Sequence, residues 1–391
     1  MLRDRFTRRG KTARLIEDED DDCEYAGAHF QKFFCKVANR FLNREVENMD
    51  ITQTTPSTSV TSKRLLEFGF GFAPALIIDA AVKYYIFDAL DHGPKTLKEI
   101  HFATGASKRG LSVVLNALVA LELLQKDAEG FYSLTSESAA FLVRSQPNYQ
   151  GTLFHHVSGQ LIPNWLQLSE ALGTGRPVVA ADLEEDAAYF QQFVEDLFGF
   201  NHAAAQRLAE ILEISKTSEL ISVLDIAAGS GVWGISLAQR SYMVRVKAVD
   251  LPAILPITRK MAERHGVEEQ FIYAEGDWAK VDFGGGHHIA LLGHILHSQG
   301  MAGSRALIGK TYSALAPGAT IVIADWLTNS ERTAPSLPLL FAVNMLVHTT
   351  DGDTFSFEEI RSWLEQSGFD DVRLVSVPAV SPLILATKPA P

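Results

Sequence analysis

The chain has 391 residues, 47% of them hydrophobic and 21% charged, so it is long enough for two domains and unlike a disordered or fibrous protein. Its formal net charge of −12 argues against nucleic acid as the main partner, because phosphate recognition depends on an excess of Lys and Arg. Cys23 and Cys35 are too few for a disulfide framework and lack zinc-ligand spacing. Without a long apolar run or a signal-like leader, we expect a cytoplasmic protein with no membrane partner.

Residues 1–62 differ in composition from the remainder of the chain. Arginines near the start are followed by an acidic run at 17–22, and the segment 50–62 is polar and rich in Thr and Ser. Such a segment cannot bury enough apolar surface to fold alone, so we predict a disordered or flexible extension. An interaction tail is the alternative interpretation.

The region 63–146 predicts a helical module with a short hairpin. It begins with a wide apolar stripe at helical spacing, which indicates a face buried by another subunit. A turn, the helix Leu111–Leu124 and a hairpin at Gly130–Thr135 follow, in the order of a winged helix. Because this second helix is almost wholly apolar, we expect it to be buried and the module to dimerise; a winged-helix regulator is a rival interpretation. The stripe consists of Leu65, Leu66, Phe68, Phe72, Leu76, Ile77, Ala80, Ala81 and Tyr84.

The region 147–218 predicts a helical connection that lines an acceptor pocket. Phe190, Phe193, Leu197 and Phe200 recur at helical spacing. This periodicity favours core packing for the aromatic stripe, and a share in a pocket wall is the alternative.

From residue 219 to 391 the pattern alternates between strands and helices, which predicts a parallel sheet with right-handed crossovers. The last two candidate strands are too close in sequence for a parallel crossover, so they must run antiparallel. The fold class is therefore α/β, with a Rossmann-like sheet whose last strand is antiparallel, preceded by the mainly helical winged-helix domain. The candidate strands are Ile221–Ile226, Val244–Val249, Phe271–Ala274, Ile289–Leu292, Thr320–Ala324, Val372–Val377 and Pro382–Ala386.

Acidic and glycine residues follow the first three strands of this predicted sheet. Asp225 precedes Gly229 and Gly231, and Asp250 with Leu251 ends the second strand. Ligands bind at the carboxyl edge of such sheets, where glycine lets the backbone approach closely and an acid can accept bonds from ribose hydroxyls. The Gly-x-Gly-x-x-Gly spacing alone also fits a dinucleotide, so an NAD-dependent oxidoreductase remains a rival.

Two further features favour a different cofactor. Asp225 suits a ligand with an ammonium group rather than a pyrophosphate. Gly276, Asp277 and Trp278 after the third strand offer a carboxylate and an aromatic face to an adenine. Each has an ordinary alternative, a helix cap for Asp225 and a turn residue for Asp277, but their succession at strand ends favours a binding site.

Residues 65–388 resemble the plant-type and bacterial small-molecule O-methyltransferases. The resemblance implies a class I methyltransferase fold, S-adenosyl-L-methionine as cofactor, a homodimer formed through the N-terminal domain, and a small aromatic or polyketide-like acceptor. It rests on the N-terminal module through Tyr132–Thr135, the loop Asp225–Gly231, the segment Leu291–His297, and Phe341–Val347 leading to Phe357.

The resemblance places the general base at His297, oriented by Asp325 at the end of the fifth strand. Methyl transfer needs an aligned acceptor and removal of its proton, and a histidine with a pKa of roughly 6.5 suits that task. Relatives usually follow this histidine with Asp-Trp, whereas this chain has Ser298 and Gln299. Thr354 stands where a second acid is expected. These departures leave open a non-methylating enzyme on the same scaffold, such as a decarboxylase, hydroxylase or pericyclase.

Further residues are candidates for the acceptor pocket. His294 and His348 are candidate pocket contacts, and Asn344 and Met345 match family positions that line the pocket. Helix packing is an equally good interpretation of Met345. His287 and His288 are assigned to the turn before the fourth strand. None of these histidines has a carboxylate at metal-ligand spacing, so we predict no metal.

Overall fold

The structure is a computed structural model that describes residues 60–178 and 187–390, without the side chains of 187–192. The predictions for residues 1–59, including both cysteines, and for the side chain of Phe190 lie outside this description.

The predicted apolar stripe is divided between two helices, α1 (Lys63–Gly69) and α2 (Ala73–Lys83). By length and composition alone, the 21 residues Lys63–Lys83 could cross a membrane. Their helix is interrupted at residues 70–72, and only 22% of the most apolar window is buried. The exposed side chains of this stretch include Leu65, Leu66, Phe68, Phe70, Phe72, Leu76 and Tyr84.

A winged-helix arrangement follows, as predicted. The antiparallel sheet has the order β1-β3-β2. The second helix is buried on one face only, since Leu111, Leu115 and Leu118 are in the core while Val113 is 66% exposed. The helix ends at Ala120 rather than at the predicted Leu124, which lies in β2, and burial of its other face by a second subunit stays a prediction. The elements are α3 (Ile86–Leu90), β1 (Lys95–Thr96), α4 (Leu97–Thr104), α5 (Lys108–Ala120), β2 (Leu124–Lys126) and β3 (Phe131–Leu134).

The connecting region is helical, as predicted, but its aromatic residues have different environments. Phe198, outside the predicted stripe, is packed in the core, whereas Phe200 lies beside His294 and Trp326 at centroid distances of 6.4 Å. The pocket-wall alternative therefore describes Phe200 better than core packing does. The elements are α6 (Ser136–Phe141), α7 (Gly151–His156), a π-helical turn (Val157–Leu161), α8 (Ile162–Trp165), α9 (Leu168–Thr174) and α10 (Ala187–Ile211).

The C-terminal region contains a seven-stranded sheet of order β11-β12-β8-β7-β4-β5-β6. Strands β4 to β8 are parallel, and β12 lies antiparallel between β8 and β11, which confirms the predicted closing pair. His287 and His288 begin β7, so their assignment to a turn was wrong. The main strands are β4 (Ile221–Ile226), β5 (Val244–Asp250), β6 (Phe271–Glu275), β7 (His287–Gly293), β8 (Leu315–Ala324), β11 (Asp370–Val375) and β12 (Leu383–Thr387).

Helices cover both faces of this sheet. Alternate residues of each strand point to opposite faces, so each face has its own hydrophobic cluster. Val223 packs in one hydrophobic cluster and its neighbour Leu224 in the other. The parallel strands consequently deliver the loops after β4, β5, β6, β7 and β8 to one edge. The remaining elements are α11 (Val232–Arg240), α12 (Leu255–Arg264), α13 (Leu296–Ala314), β9 (Leu327–Thr328), α14 (Ser336–His348), β10 (Phe355–Ser356) and α15 (Phe357–Gln366).

Candidate functional site

The glycine turn between β4 and α11 has a left-handed backbone at several positions. Gly229 and Gly231 have φ values of +54° and +74°, which glycine adopts without strain. The Gly229 carbonyl accepts a hydrogen bond from Thr258 at 2.7 Å. The turn is therefore held open at the carboxyl edge of the sheet, with its backbone fixed from α12.

Asp225 lies beneath this turn and is only 1% exposed. Its Oδ2 accepts the Gly234 N–H at 3.1 Å, and a Cβ at position 234 would meet that oxygen at 2.8 Å. Burial raises the pKa of Asp225 to about 8, with a further contribution from the charge of Asp250. The carboxylate thus helps to order the turn, and its predicted contact with an ammonium group stays a prediction.

Asp250 connects the end of β5 to the glycine turn. Its two carboxylate oxygens accept hydrogen bonds from Gly229 N at 2.8 Å and Leu251 N at 2.7 Å. Burial raises the pKa of this carboxyl. Leu251, the next residue, is 37% exposed at the same edge and offers an apolar surface beside the carboxylate.

The loop after β6 adds three predicted residues to this edge. Gly276 has a φ of +136° and donates its N–H to the Asp250 carbonyl at 2.9 Å. Asp277 is exposed, and its Oδ1 accepts the Ala279 N–H at 2.9 Å, the contact expected of a turn residue. The half-buried Trp278 donates its indole N–H to Gln299 at 2.8 Å. The structure therefore brings the predicted cofactor residues to one edge.

His297 and Asp325 form a pair at the neighbouring loops, after β7 and β8. His297 Nδ1 donates to Asp325 Oδ1 at 2.8 Å, and the His297 backbone N–H donates to Oδ2 at 3.1 Å. Burial opposes ionisation of Asp325, but the charge and hydrogen bonds of His297 hold its pKa below the usual value. In the neutral tautomer that donates through Nδ1, the His297 Nε2 has a lone pair that can accept a proton.

His297 lies in the first turn of α13, and this turn packs against the loop after α14. Gly300 interrupts α13 with φ 63° and ψ 177°, and a Cβ there would meet the Asp351 carbonyl at 2.5 Å. Asp353 N donates to the His297 carbonyl at 2.8 Å. The hydroxyl of buried Thr354 has no hydrogen-bond partner within the described chain. Among the described residues, Asp325 is the carboxylate bonded to the His297 ring, and Thr354 supplies no second one.

His294 lies beside this pair, in the left-handed region with φ +60°. Its Nε2 is 3.0 Å from Asn201 Oδ1, and burial lowers its pKa to about 4. Ligating atoms of His294, His297 and Asp325 lie within 4.8 Å of one another, a grouping that sequence spacing did not anticipate. The approach of His297 to Asp325 in this group is explained by their hydrogen bond. The expectation of no metal stays a prediction.

Aromatic rings line one side of the pair; sequence reasoning considered Phe200 as the pocket-wall alternative but did not assign Trp326 or Phe341 to the site. Phe341 meets the His297 ring edge-to-face at 4.9 Å and stacks on Trp326 at 4.6 Å. Phe200 reaches the same group from α10. The residues lie far apart in sequence, although Trp326 could have been noticed because it directly follows Asp325. Together they form an apolar wall suited to a flat ring.

The remaining predicted pocket residues lie along α14. The Asn344 side chain accepts the Trp165 indole N–H at 2.8 Å, and His348 Nε2 lies 3.0 Å from Asn164 Nδ2. Met345 is 6% exposed, in agreement with the packing interpretation. Helix α8 therefore contributes Asn164 and Trp165, which the sequence did not identify, to a polar group on α14.

Comparison with known proteins gave matches over most of the chain. Residues 66–144 match the model of the O-methyltransferase dimerisation domain, and residues 167–370 match that of the O-methyltransferase domain. The chain is 28% identical to the tetracenomycin polyketide synthesis 8-O-methyl transferase TcmO of Streptomyces glaucescens, over 86% of this chain and 99% of that protein. It is 27% identical to the 3-hydroxy-5-methyl-1-naphthoate 3-O-methyltransferase of Streptomyces sahachiroi, over 82% and 93% of the two chains.

Solved structures show the same architecture. A Nostoc punctiforme structure assigned as an O-methyltransferase is 27% identical with a TM-score of 0.76, covering 85% of this chain and 100% of its own. Human N-acetylserotonin methyltransferase, solved with SAM, is 24% identical with a TM-score of 0.72, over 86% and 100% of the chains. The latter likeness concerns the fold.

Proposed function

The chain belongs to the S-adenosylmethionine-dependent O-methyltransferase family, and from this premise we propose that His297 is the general base for methylation of an aromatic hydroxyl. The observation that carries the proposal is the His297–Asp325 hydrogen bond of 2.8 Å at the carboxyl edge of the sheet. The family removes the NAD-dependent oxidoreductase and the winged-helix regulator as rivals.

The chemistry asked of the protein is alignment and removal of one proton. When bound, S-adenosylmethionine supplies a methyl group already activated by its sulfonium. His297 Nε2 accepts the hydroxyl proton, since Nδ1 is occupied by its bond to Asp325. The ionised carboxylate of Asp325 then stabilises the imidazolium and holds its orientation.

The residues of the cofactor edge fit the methyl donor. We assign Asp250 to the ribose hydroxyls, because its oxygens are fixed by two backbone N–H groups and keep further lone pairs. Leu251, Asp277 and Trp278 are assigned to the adenine, and Gly229, Gly231 and Gly276 to close backbone approach. Asp225 would act through the order of the turn and through its charge toward the amino group.

The acceptor is proposed to be a flat aromatic or polyketide-like molecule. Phe341 supplies a ring surface next to His297, and Trp326 and Phe200 extend the aromatic wall from Phe341. Asn344 and His348, with neighbouring Met345, lie on the same helix as Phe341, α14, and form the polar end of the proposed pocket. His294 borders the base. The two Streptomyces relatives act, by their names, on a tetracenomycin precursor and a naphthoate, which supports this class.

We propose a homodimer formed through the N-terminal module, with domains at 63–146, 147–218 and 219–391 and a cytoplasmic location. The match to the dimerisation domain and the exposed apolar side chains of α1 and α2 support the dimer. Light scattering of the purified chain should give twice the monomer mass, and Leu65→Asp combined with Phe68→Asp should give the monomer. A monomeric parent protein would contradict the proposal.

Labelled methyl transfer tests the proposed function. The purified chain is incubated with S-adenosylmethionine carrying a labelled methyl group and with mono- and polycyclic phenols. We expect label in an ether product and equimolar S-adenosylhomocysteine. Tight S-adenosylhomocysteine binding without transfer to any phenol, together with another conversion of the same compounds, would instead favour the non-methylating alternative suggested by Ser298, Gln299 and Thr354.

A further inference from the structure

The two residues that depart from the usual Asp-Trp pair form one hydrogen-bonded unit with Trp278. The Trp278 indole N–H donates to Gln299 Oε1 at 2.8 Å. Gln299 Nε2 donates to Ser298 Oγ at 2.8 Å, and Ser298 Oγ donates to the Ile295 carbonyl at 2.9 Å. The chain of bonds thus connects the loop after β6 to the turn that carries His297.

The direction of this chain of bonds is fixed at both ends. An indole N–H can only donate, and a backbone carbonyl can only accept. The amide of Gln299 must therefore present its oxygen to Trp278 and its NH₂ to Ser298. Glutamine satisfies both contacts because it carries an acceptor and a donor on one flat group.

The backbone of the Trp278 loop is fixed separately, by Lys310, which lies on α13 as Ser298 and Gln299 do. Lys310 Nζ donates to the carbonyls of Trp278 at 2.7 Å and Val281 at 2.6 Å, and also to Ala279. Its ammonium lies 4.4 Å from the Phe283 ring centroid. With the main chain held in this way, the bond to Gln299 governs the orientation of the indole ring itself.

We propose that Gln299 is a positioning residue that holds the Trp278 indole as the aromatic face of the cofactor pocket. This rests on the proposed function, in which Trp278 contacts the adenine. The departure at Ser298 and Gln299 then serves the cofactor edge and leaves the His297–Asp325 pair intact. One helix, α13, thereby carries the base, the residue that orients the indole and the lysine that fixes the loop.

Calorimetric titration of the full chain with S-adenosylhomocysteine tests the proposal. Gln299→Met keeps the side-chain length but removes the acceptor, and should raise Kd about threefold to tenfold, the range of a lost hydrogen bond. Gln299→Glu keeps an acceptor for the indole, and the Ser298 hydroxyl, which donates to the Ile295 carbonyl in the parent, can turn to donate to the second carboxylate oxygen, so Kd should stay within about twofold of the parent. Trp278→Phe removes the donor, and combining it with Gln299→Met should add little to the single change. Arg305→Met, on the exposed side of α13 where Arg305 contacts Gln366, is the matched control.

The turnover readout separates positioning from general damage. At saturating S-adenosylmethionine, Gln299→Met should keep kcat within about twofold, because a lost binding contact raises KM rather than lowering kcat. If Trp278→Phe and Trp278→Ala bind S-adenosylhomocysteine as the parent does, the assignment of Trp278 to the cofactor is wrong. If Trp278→Ala weakens binding but Gln299→Met does not, or if Gln299→Glu fails to restore it, the positioning role is overturned.

Discussion

The two halves of the site are built in different ways. The cofactor half, at the ends of β4, β5 and β6, uses backbone N–H groups, glycines and one acid in or near the end of each strand, as the bonds of Asp250 to Gly229 and Leu251 illustrate. The acceptor half joins the ends of β7 and β8 to side chains of α8, α10 and α14. In the proposed function the first half would recognise a constant cofactor with main chain, while the second would shape a pocket with side chains from distant segments.

The halves also bury opposite kinds of titratable group. Beneath the cofactor half lies Asp225, a carboxyl whose pKa burial raises to about 8. In the acceptor half lies His294, an imidazole whose pKa burial lowers to about 4. In both groups burial disfavours the charged form, and a buried charge persists where a partner compensates it, as His297 does for Asp325.

The largest effect is expected in the acceptor half, at the base. His297→Ala should lower kcat roughly 10²- to 10⁴-fold, the typical contribution of a well-placed base. The S-adenosylhomocysteine affinity should stay within about twofold if the halves are independent. His288→Asn, at the opposite end of β7, is the matched control. Turnover of His297→Ala within a few-fold of the parent would rule out the general-base role.

The next effect is expected in the cofactor half. Asp250→Ala removes the acceptor of two backbone N–H groups and of the ribose, and should raise the Kd for S-adenosylhomocysteine roughly 10- to 100-fold. Titration calorimetry measures this change. Asp282→Ala, which removes a similar loop contact to Gly284 far from the site, should leave Kd unchanged. Unchanged binding in Asp250→Ala would contradict the assignment of the cofactor half.

The half-buried His294 of the acceptor half should make stability depend on pH. In the unfolded chain His294 gains a proton as the pH falls below about 6.5, whereas in the folded chain it does so only near 4. As the pH is lowered from about 6.5 to about 4, the free energy of unfolding should therefore fall, by on the order of 1–3 kcal/mol from this group. Urea titrations at several pH values should show that the free energy of unfolding of His294→Gln falls less steeply with falling pH than that of the parent. An equally steep fall in the two proteins would contradict the lowered pKa of His294.

The smallest effect is expected at the aromatic wall. Phe341→Ala should raise the acceptor KM about twofold to tenfold, the range of one lost ring contact, and leave cofactor binding unchanged. Phe341→Tyr keeps the ring and serves as the control. A change in S-adenosylhomocysteine Kd as large as the change in acceptor KM would show that Phe341 belongs to both halves.

Most of the fold could be predicted from the sequence because strand and helix periodicity is local. The strand Ile221–Ile226 was predicted residue for residue, and the antiparallel closing pair followed from the short connection between its strands. The helix break after Gly69 was missed, since the apolar stripe continues across it. Phe200 belongs to the predicted aromatic stripe and Phe198 does not, yet it is Phe198 that is packed in the core while Phe200 lies beside Trp326, because periodicity defines a helix face but not what that face meets.

The sequence by itself predicted that the acidic and glycine residues assigned to the cofactor half lie together, because a parallel sheet must bring the residues at the ends of successive strands to one edge. It also identified His297 and Asp325 through the resemblance to a family. Only the tertiary structure decided that Phe341 contacts the His297 ring, that Phe341 and Phe200 both meet Trp326, and that Gln299 contacts Trp278. Those contacts join segments far apart in the chain, and which side chains meet depends on how helices pack against the sheet rather than on any local pattern.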